Sequence, residues 1–394
     1  MLGSVQLYLY FLLSLVPNFA STFIEYATVF FSVFLAYLVA LLAAPRLLNS
    51  FSHKRVLVTV VLGFTLCFRV LMLFSAPTLS TDIMRFAWDG RVFSHGIDPY
   101  AFAPSSPELD HLKNVSYFEA YDHKEEITPY PPVAQFTFLF VALFSGDFLG
   151  LKIAFTMLDL MNCLLLTYLL RNLSTSKMIG GLLLYSWSPL LIVEFSSSGH
   201  MDSLPIFFIL LSIIFLSKSR FISSALSYSL AVWSKAYPIL LLPLYLQYLR
   251  TKGSRVVALH FLIIFTLASI VLLIPFAPSS GANVISGQLY FVSNWFFNPS
   301  IFFLLHLGLR RLLGQMPMLS LLLRVLVGLV FLAISTRYAY AKHQKDLSEL
   351  AQSSITVLGL MILLAPAVFP WYVSWVLVFC ALIGPNLKTV PWVI

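Results

Sequence analysis

The stretch Ser80-Thr81-Asp82-Ile83-Met84-Arg85-Phe86-Ala87-Trp88-Asp89-Gly90-Arg91 concentrates ionisable chemistry in a chain that carries little of it. Two carboxylates and two guanidinium groups follow directly on an apolar run that ends near Ala76. Ionisable groups at a membrane boundary are costly unless something pairs or uses them. Asp82 and Asp89 are seven residues apart, two turns of a helix, so both fall on one face with Arg85 and, roughly, Trp88. One carboxylate can act as a general base while its arginine neighbour keeps it ionised. An Asp–Arg pair that only holds a helix end fits the spacing as well.

Other candidates are scattered. His200 and Asp202 follow the flexible run Ser196-Ser197-Ser198-Gly199. An imidazole there can hydrogen-bond a sugar hydroxyl or a phosphate, whereas a metal site would want more ligands close by. Lys235 sits between two short apolar runs, where an uncompensated ammonium must snorkel or meet an anion such as a lipid phosphate. The clusters Asn294-Trp295-Phe296-Phe297-Asn298 and Phe369-Pro370-Trp371-Tyr372 suit an interfacial aromatic belt, and equally suit stacking on sugar rings. Arg69, Lys152, Asp159, Glu194 and Arg324 are further charges in or near apolar runs, and Asp159 is expected to pair inside the bundle. Gly96-Ile97-Asp98-Pro99-Tyr100 and Tyr130-Pro131-Pro132 read as structural turns.

The elements that must position these residues are membrane helices. The chain has 394 residues, of which 59% are hydrophobic and 10% charged, with a mean hydropathy of +0.90. Soluble domains carry about 25% charged residues. Apolar runs recur along the whole length, so the chain reads as an all-α polytopic membrane protein, a single domain over 1–394. The net charge of +8 is that of cytoplasmic loops obeying the positive-inside rule, and no basic, aromatic-interleaved patch argues for nucleic acid. Cys67, Cys163 and Cys380 lie in apolar runs without disulfide or zinc spacing. The first apolar run lacks a cleavage motif and reads as a retained helix.

Charge parity then orders the runs. With Arg46 and His53-Lys54-Arg55 inside, the polar loop 77–132 is outside. The runs 131–145 and 298–313 must not cross, or Arg171 and Lys177, and later Arg337, Lys342 and Lys345, would fall on the wrong side. Treating both as re-entrant or interfacial helices leaves about twelve spans with both termini in the cytoplasm. The 77–132 loop, residues 196–202, the turn at Lys235, a second loop at 277–313 and residues 366–372 then share the outer side.

In order along the chain, Asp82-Ile83-x-Arg85-Phe86-x-Trp88-Asp89-Gly90-Arg91, Gly96 to Tyr100, Tyr130-Pro131-Pro132-x-x-Gln135, Glu194 to Asp202, Ser234-Lys235, Trp295 to Ser300 and Pro370-Trp371-Tyr372 resemble GT-C glycosyltransferases. The nearest group is the polyprenyl-phosphate-mannose-dependent mannosyltransferases of the glycosyltransferase family 87 type. The resemblance implies a GT-C fold in a prokaryotic plasma membrane and an extracytoplasmic site. It also implies a polyprenyl-phosphate hexose as donor, a lipid-linked or glycan acceptor, and inversion at the anomeric carbon. It maps the base onto Asp82, with Asp89 as the alternative, and the donor-phosphate contacts onto Arg85, Arg91, His200 or Lys235. Asp202, Trp295, Asn298, Trp371 and Tyr372 complete the expected substrate-binding set. No Asp-x-Asp motif occurs in the loop, so neither metal nor cofactor is expected. A transporter or flippase of lipid-linked sugars shares the spans and buried charges, but no convincing internal repeat supports it. A GT-C transferase with a non-mannose donor differs only in substrate.

Overall fold

The computed structural model describes residues 1–47, 53–281, 283–314, 318–341, 344–386 and 388–393. Lys342 and the side chain of Arg46, two cations in the charge argument, lie outside the described residues. Among the described residues the secondary structure is helical, apart from one isolated parallel bridge between Phe297 and Ala367.

The first three helices, α1 (Leu2–Ser14), α2 (Phe23–Leu47) and α3 (Lys54–Leu73), lead to α4 (Asp82–Ser94) and α5 (Pro132–Phe144). Next come α6 (Phe148–Leu170), α7 (Thr175–Ser186), α8 (Pro189–Ile192), α9 (Ser203–Ser217), α10 (Phe221–Ser234) and α11 (Leu242–Lys252). The remainder comprises α12 (Arg255–Leu273), α13 (Asn283–Asn294), α14 (Ile301–Leu313), α15 (Leu319–Ala341), α16 (Leu347–Leu364), α17 (Ser374–Ile383) and α18 (Val390–Val393). Polar residues start several of them: Asp147 accepts from Gly150 N before α6, and Ser254 from Val257 N before α12.

Six helices among the described residues are long and apolar enough to cross a membrane: α2, α3, α6, α12, α15 and α16. A seventh span results if α7 and the bent segment Pro189–Ser197 count as one. The twelve spans expected from charge are therefore not reproduced by length, and seven is the most that the described helices supply by length and composition. The two runs expected not to cross form α5 and α14, each 13 residues. At about 1.5 Å per residue such helices reach roughly 20 Å, short of a hydrocarbon core of about 30 Å.

Polar groups tie the bundle together where apolar surface cannot drive helix association. Gln6 donates to the Trp187 carbonyl at 3.0 Å, Tyr37 to Leu184 O at 2.9 Å, and the Trp187 indole to Val61 O at 3.1 Å. These contacts fasten α1, α2 and α3 to α7 and the turn after it. Asp159 finds its partner in Arg69: Nη2 and Oδ2 are 2.7 Å apart, and both side chains are fully buried. Tyr185 donates to the other carboxylate oxygen at 2.8 Å, and Arg69 Nη1 reaches Ser186 O at 2.7 Å. Every lone pair and proton so matched lowers the cost of burying the ion pair.

Helix α4 is held on two faces. Ile83 and Phe86 pack with Phe138, Val141 and Phe155 of α5 and α6. Trp88 and Val92 pack with Leu109, Leu112, Phe118 and Tyr121 of the first loop. Gly90 allows the close approach to α5, since a Cβ there would lie 2.6 Å from the Phe138 carbonyl oxygen. The N-terminal edge of α4, which carries Asp82 and Arg85, belongs to neither packed cluster.

Candidate functional site

That edge opens on a cavity of about 480 Å³. The first loop contributes Asp122, His123, Glu126 and Tyr130 to its wall, α4 contributes Asp82 and Arg85, and the turn after α10 contributes Lys235 and Tyr237. Trp295, Trp371, Tyr372 and Trp375 supply aromatic faces. Leu240, Val327, Phe331 and Leu364 form an apolar flank between the Lys235 turn, α15 and α16. The cavity is thus polar and aromatic on one side and apolar on the other, as an amphipathic substrate requires.

The two aspartates occupy different surroundings. The Asp82 side chain is 32% exposed, at the first position of α4. The Asp89 side chain is 3% exposed and fully engaged. It accepts from Arg85 Nε at 2.9 Å, Thr128 Oγ1 at 2.5 Å and Gln135 Nε2 at 3.0 Å. Arg85 spends its other nitrogens on the carbonyls of Glu126 at 3.0 Å and His123 at 3.4 Å. Arg85 and Asp89 therefore knit the first loop to α4, and of the two α4 aspartates Asp82 is the one that a substrate can reach.

Lys235 meets an anion of the chain itself. Its ammonium is 2.8 Å and 2.9 Å from the two oxygens of Asp202, which is fully buried and also accepts from the Trp375 indole at 2.5 Å. The ammonium lies 5.4 Å from the ring centres of both Tyr372 and Trp375. Those rings stack on each other at 4.0 Å, and Tyr237 stacks on Trp375 at 4.1 Å. An ammonium carries three donors, so one N–H remains for a ligand in the cavity.

His200 sits behind the wall. It is 1% exposed and stacks on Trp371 at 3.7 Å between ring centres. Its Nδ1 is 2.8 Å from Glu194 Oε2 and its Nε2 is 3.9 Å from Asp82 Oδ2. Burial alone would lower the imidazole's pKa, but Glu194 first, then Asp82 and Asp202, outweigh it and hold the ring above the ordinary histidine value. The turn that delivers it is a π-helical segment, Val193–Ser197, followed by Gly199 at φ +73°. A Cβ at Gly199 would come within 2.5 Å of Ile83 Cδ1, so glycine serves both the turn and its contact with α4.

Asp82, Arg85, Lys235, Trp295, Trp371 and Tyr372 line the cavity, with Asp89, His200 and Asp202 directly behind it. Two candidates lie elsewhere. Arg91 bonds Leu112 O at 3.1 Å and Asn114 Oδ1 at 3.0 Å, and borders a separate cavity of about 160 Å³. Asn298 is exposed, at φ +46°, beside the bridge that joins Phe297 to residues 366–368. Sequence reasoning passed over Glu126, Tyr237 and Trp375. Glu126 accepts from the Trp295 indole at 3.3 Å and contacts His123 at 3.0 Å. No pattern marks it, whereas Trp375 carries a signal, one helical turn after Trp371. Arg324, noted only as a charge in an apolar run, bonds Val292 O at 2.8 Å and Trp295 O at 2.9 Å, fixing the end of α13 on α15. Among the described residues no three His, Cys, Asp or Glu side chains gather as a metal ion would need.

The family model described as "Alpha-(1->6)-mannopyranosyltransferase, N-terminal domain" matches residues 10–250. Alpha-(1->6)-mannopyranosyltransferase A of Mycobacterium tuberculosis is 23% identical over 335 residues, covering 79% of this chain. The chain spans 62% of that relative's length. Asp82, Asp89, Glu194, His200, Asp202 and Lys235 fall inside the family match, while Trp295, Trp371 and Tyr372 fall beyond it.

Proposed function

This chain belongs to the alpha-(1->6)-mannopyranosyltransferase family, and from that premise we propose that it is a membrane mannosyltransferase. It takes mannose from a polyprenyl-phosphate donor, on the extracytoplasmic face, and passes it with inversion to a hydroxyl of a lipid-linked or glycan acceptor. The observation that carries this reading is the cavity. One space holds an accessible carboxylate, a cation with a spare donor, stacked aromatic rings and an apolar flank. A sugar, a phosphate and an isoprenoid chain need those surfaces in that combination.

In the proposed reaction Asp82 accepts the proton of the acceptor hydroxyl as its oxygen attacks the anomeric carbon. The bond from that carbon to the phosphate oxygen breaks on the opposite face, and the lipid phosphate leaves as an anion. Lys235 stabilises the charge that grows on the phosphate, from a position that Asp202 and the indole of Trp375 fix beforehand. The Trp371 and Tyr372 rings lie against the mannose, and the chain of the donor runs along Leu240, Val327, Phe331 and Leu364. No cofactor enters this scheme.

The test is transfer by the purified protein from labelled polyprenyl-phosphate mannose to a membrane lipid extract. Label is expected in a new lipid or polymer, and Asp82→Asn is expected to lower kcat by about 10²- to 10⁴-fold with an unchanged melting temperature. Donor that moves between leaflets without a new product would replace transfer by transport. Undiminished transfer by Asp82→Asn would remove Asp82 from the base role.

A further inference from the structure

Behind the cavity lies an arrangement that the transfer scheme leaves unused. Glu194, His200 and Asp82 form a line in which one imidazole stands between two carboxylates. Glu194 is 5% exposed and His200 1%, and Trp371 covers the ring, so neither residue lines the cavity. A donor phosphate in the cavity meets Trp371 before it meets His200. The 2.8 Å contact from Glu194 to Nδ1 lies off the axis of a well-aligned hydrogen bond, and neither ring nitrogen has an aligned partner. A buried, polar, imperfectly satisfied group next to a reactive carboxylate has a reason to be there.

The charges around the ring are specific. Three carboxylates face it: Glu194 from the π-helical turn, Asp82 from α4, and Asp202 from the start of α9. Lys235 already neutralises Asp202. Lys152 of α6 packs against Gly199, and its ammonium donates to Ser75 O rather than to a carboxylate. Glu194 and Asp82 are thus the anions left to a charged imidazole.

We propose that Glu194 and His200 are positioning residues for Asp82. Glu194 fixes the ring so that Nε2 faces Asp82 Oδ2, and the charged ring holds that oxygen, leaving Oδ1 aimed at the acceptor hydroxyl. The 3.9 Å gap is within ion-pair range, and such catalytic contacts commonly shorten once substrate is bound. The carboxylates that raise the ring's pKa act in the same direction, favouring its charged form. The inference rests on Asp82 as the base of the proposed transfer.

The experiment measures mannosyl transfer against pH in the full chain for wild type, Glu194→Gln, Glu194→Asp and His200→Gln. In the wild type kcat falls as pH rises through the pKa of His200, since the contact needs the charged ring. Glu194→Gln is expected to move this alkaline limb down by about one pH unit with the donor KM unchanged. Glu194→Asp returns it toward the wild-type position. His200→Gln removes the limb and lowers kcat by about tenfold or more. A Glu194→Gln variant that loses kcat equally at every pH would make the pair mere packing, and a raised donor KM would make it a phosphate contact; either result overturns the proposal. Ring NMR of histidine-labelled protein, with His200→Gln identifying the signal, separates this outcome from failure of the transfer reading. A fall in the His200 pKa in Glu194→Gln supports the pairing even in a protein that transfers no mannose, and an unchanged pKa overturns it.

Discussion

Asp82 and Asp89 carry the same side chain two helical turns apart, and their surroundings give them different work. Asp89 satisfies Arg85, Thr128 and Gln135, and no part of it reaches the cavity. Asp82 stands at the helix start with a third of its side chain exposed. Removing the charge of Asp89 leaves the guanidinium of Arg85 buried without its counterion. Asp89→Asn is therefore expected to destabilise the protein by about 3–5 kcal/mol, read as a fall in melting temperature in detergent. Asp82→Asn should leave that temperature where it was. The spacing placed both carboxylates and Arg85 on one face, but which carboxylate is free depended on Thr128 and Gln135, 39 and 46 residues away from Asp89.

At the scale of elements, α4 and the π-helical turn before Gly199 place the chemistry. For helix α4 the sequence offered the seven-residue spacing that sets Asp82 and Asp89 on one helical face. For the π-helical turn it offered no signal, because nothing in Val193-Glu194-Phe195-Ser196-Ser197 distinguishes one extra residue in a turn from an ordinary helix end. Its consequence is large, since it swings Glu194 and His200 toward the N-terminus of α4. Gly199→Ala should cost about 1–2 kcal/mol for the left-handed backbone alone, with an added clash against Ile83. The variant is expected to lose transfer well before it loses its helical content, which parallel activity and circular-dichroism measurements would reveal. Activity equal to wild type would mean that the turn does not position the site.

At the scale of the whole molecule, the ends of the helices sort into two groups. Lys54 donates to the carbonyls of Arg171 and Leu173 at 2.8 Å and 2.7 Å, and Arg171 and Lys218 both lie over the Tyr168 ring. Arg250 lies over Tyr340. Lys54 and Arg171 are cations that charge parity assigned to one side. The cavity gathers the Asp82, Lys235, Trp295 and Trp371 clusters in the same way. The proposed outward-facing cavity predicts that Glu119→Cys in the first loop reacts with a membrane-impermeant maleimide in intact cells. Arg250→Cys should react only after permeabilisation. The opposite labelling pattern would place the cavity on the cytoplasmic side.

Composition and hydropathy by themselves determined that the chain is a helical membrane protein, because exposing so many apolar runs to water is too costly. Charge parity gave the expectation that its polar clusters share one side of the membrane, but it did not bring them together in one site. The tertiary structure decided the rest. It paired Asp159 with Arg69, gave Lys235 to Asp202, set Arg91 and Asn298 apart from the cavity, and left Asp82 open while it closed off Asp89. A residue's type states which partners it can take. Which partner it does take depends on groups far away in sequence, and only the packing of the helices brings those within reach.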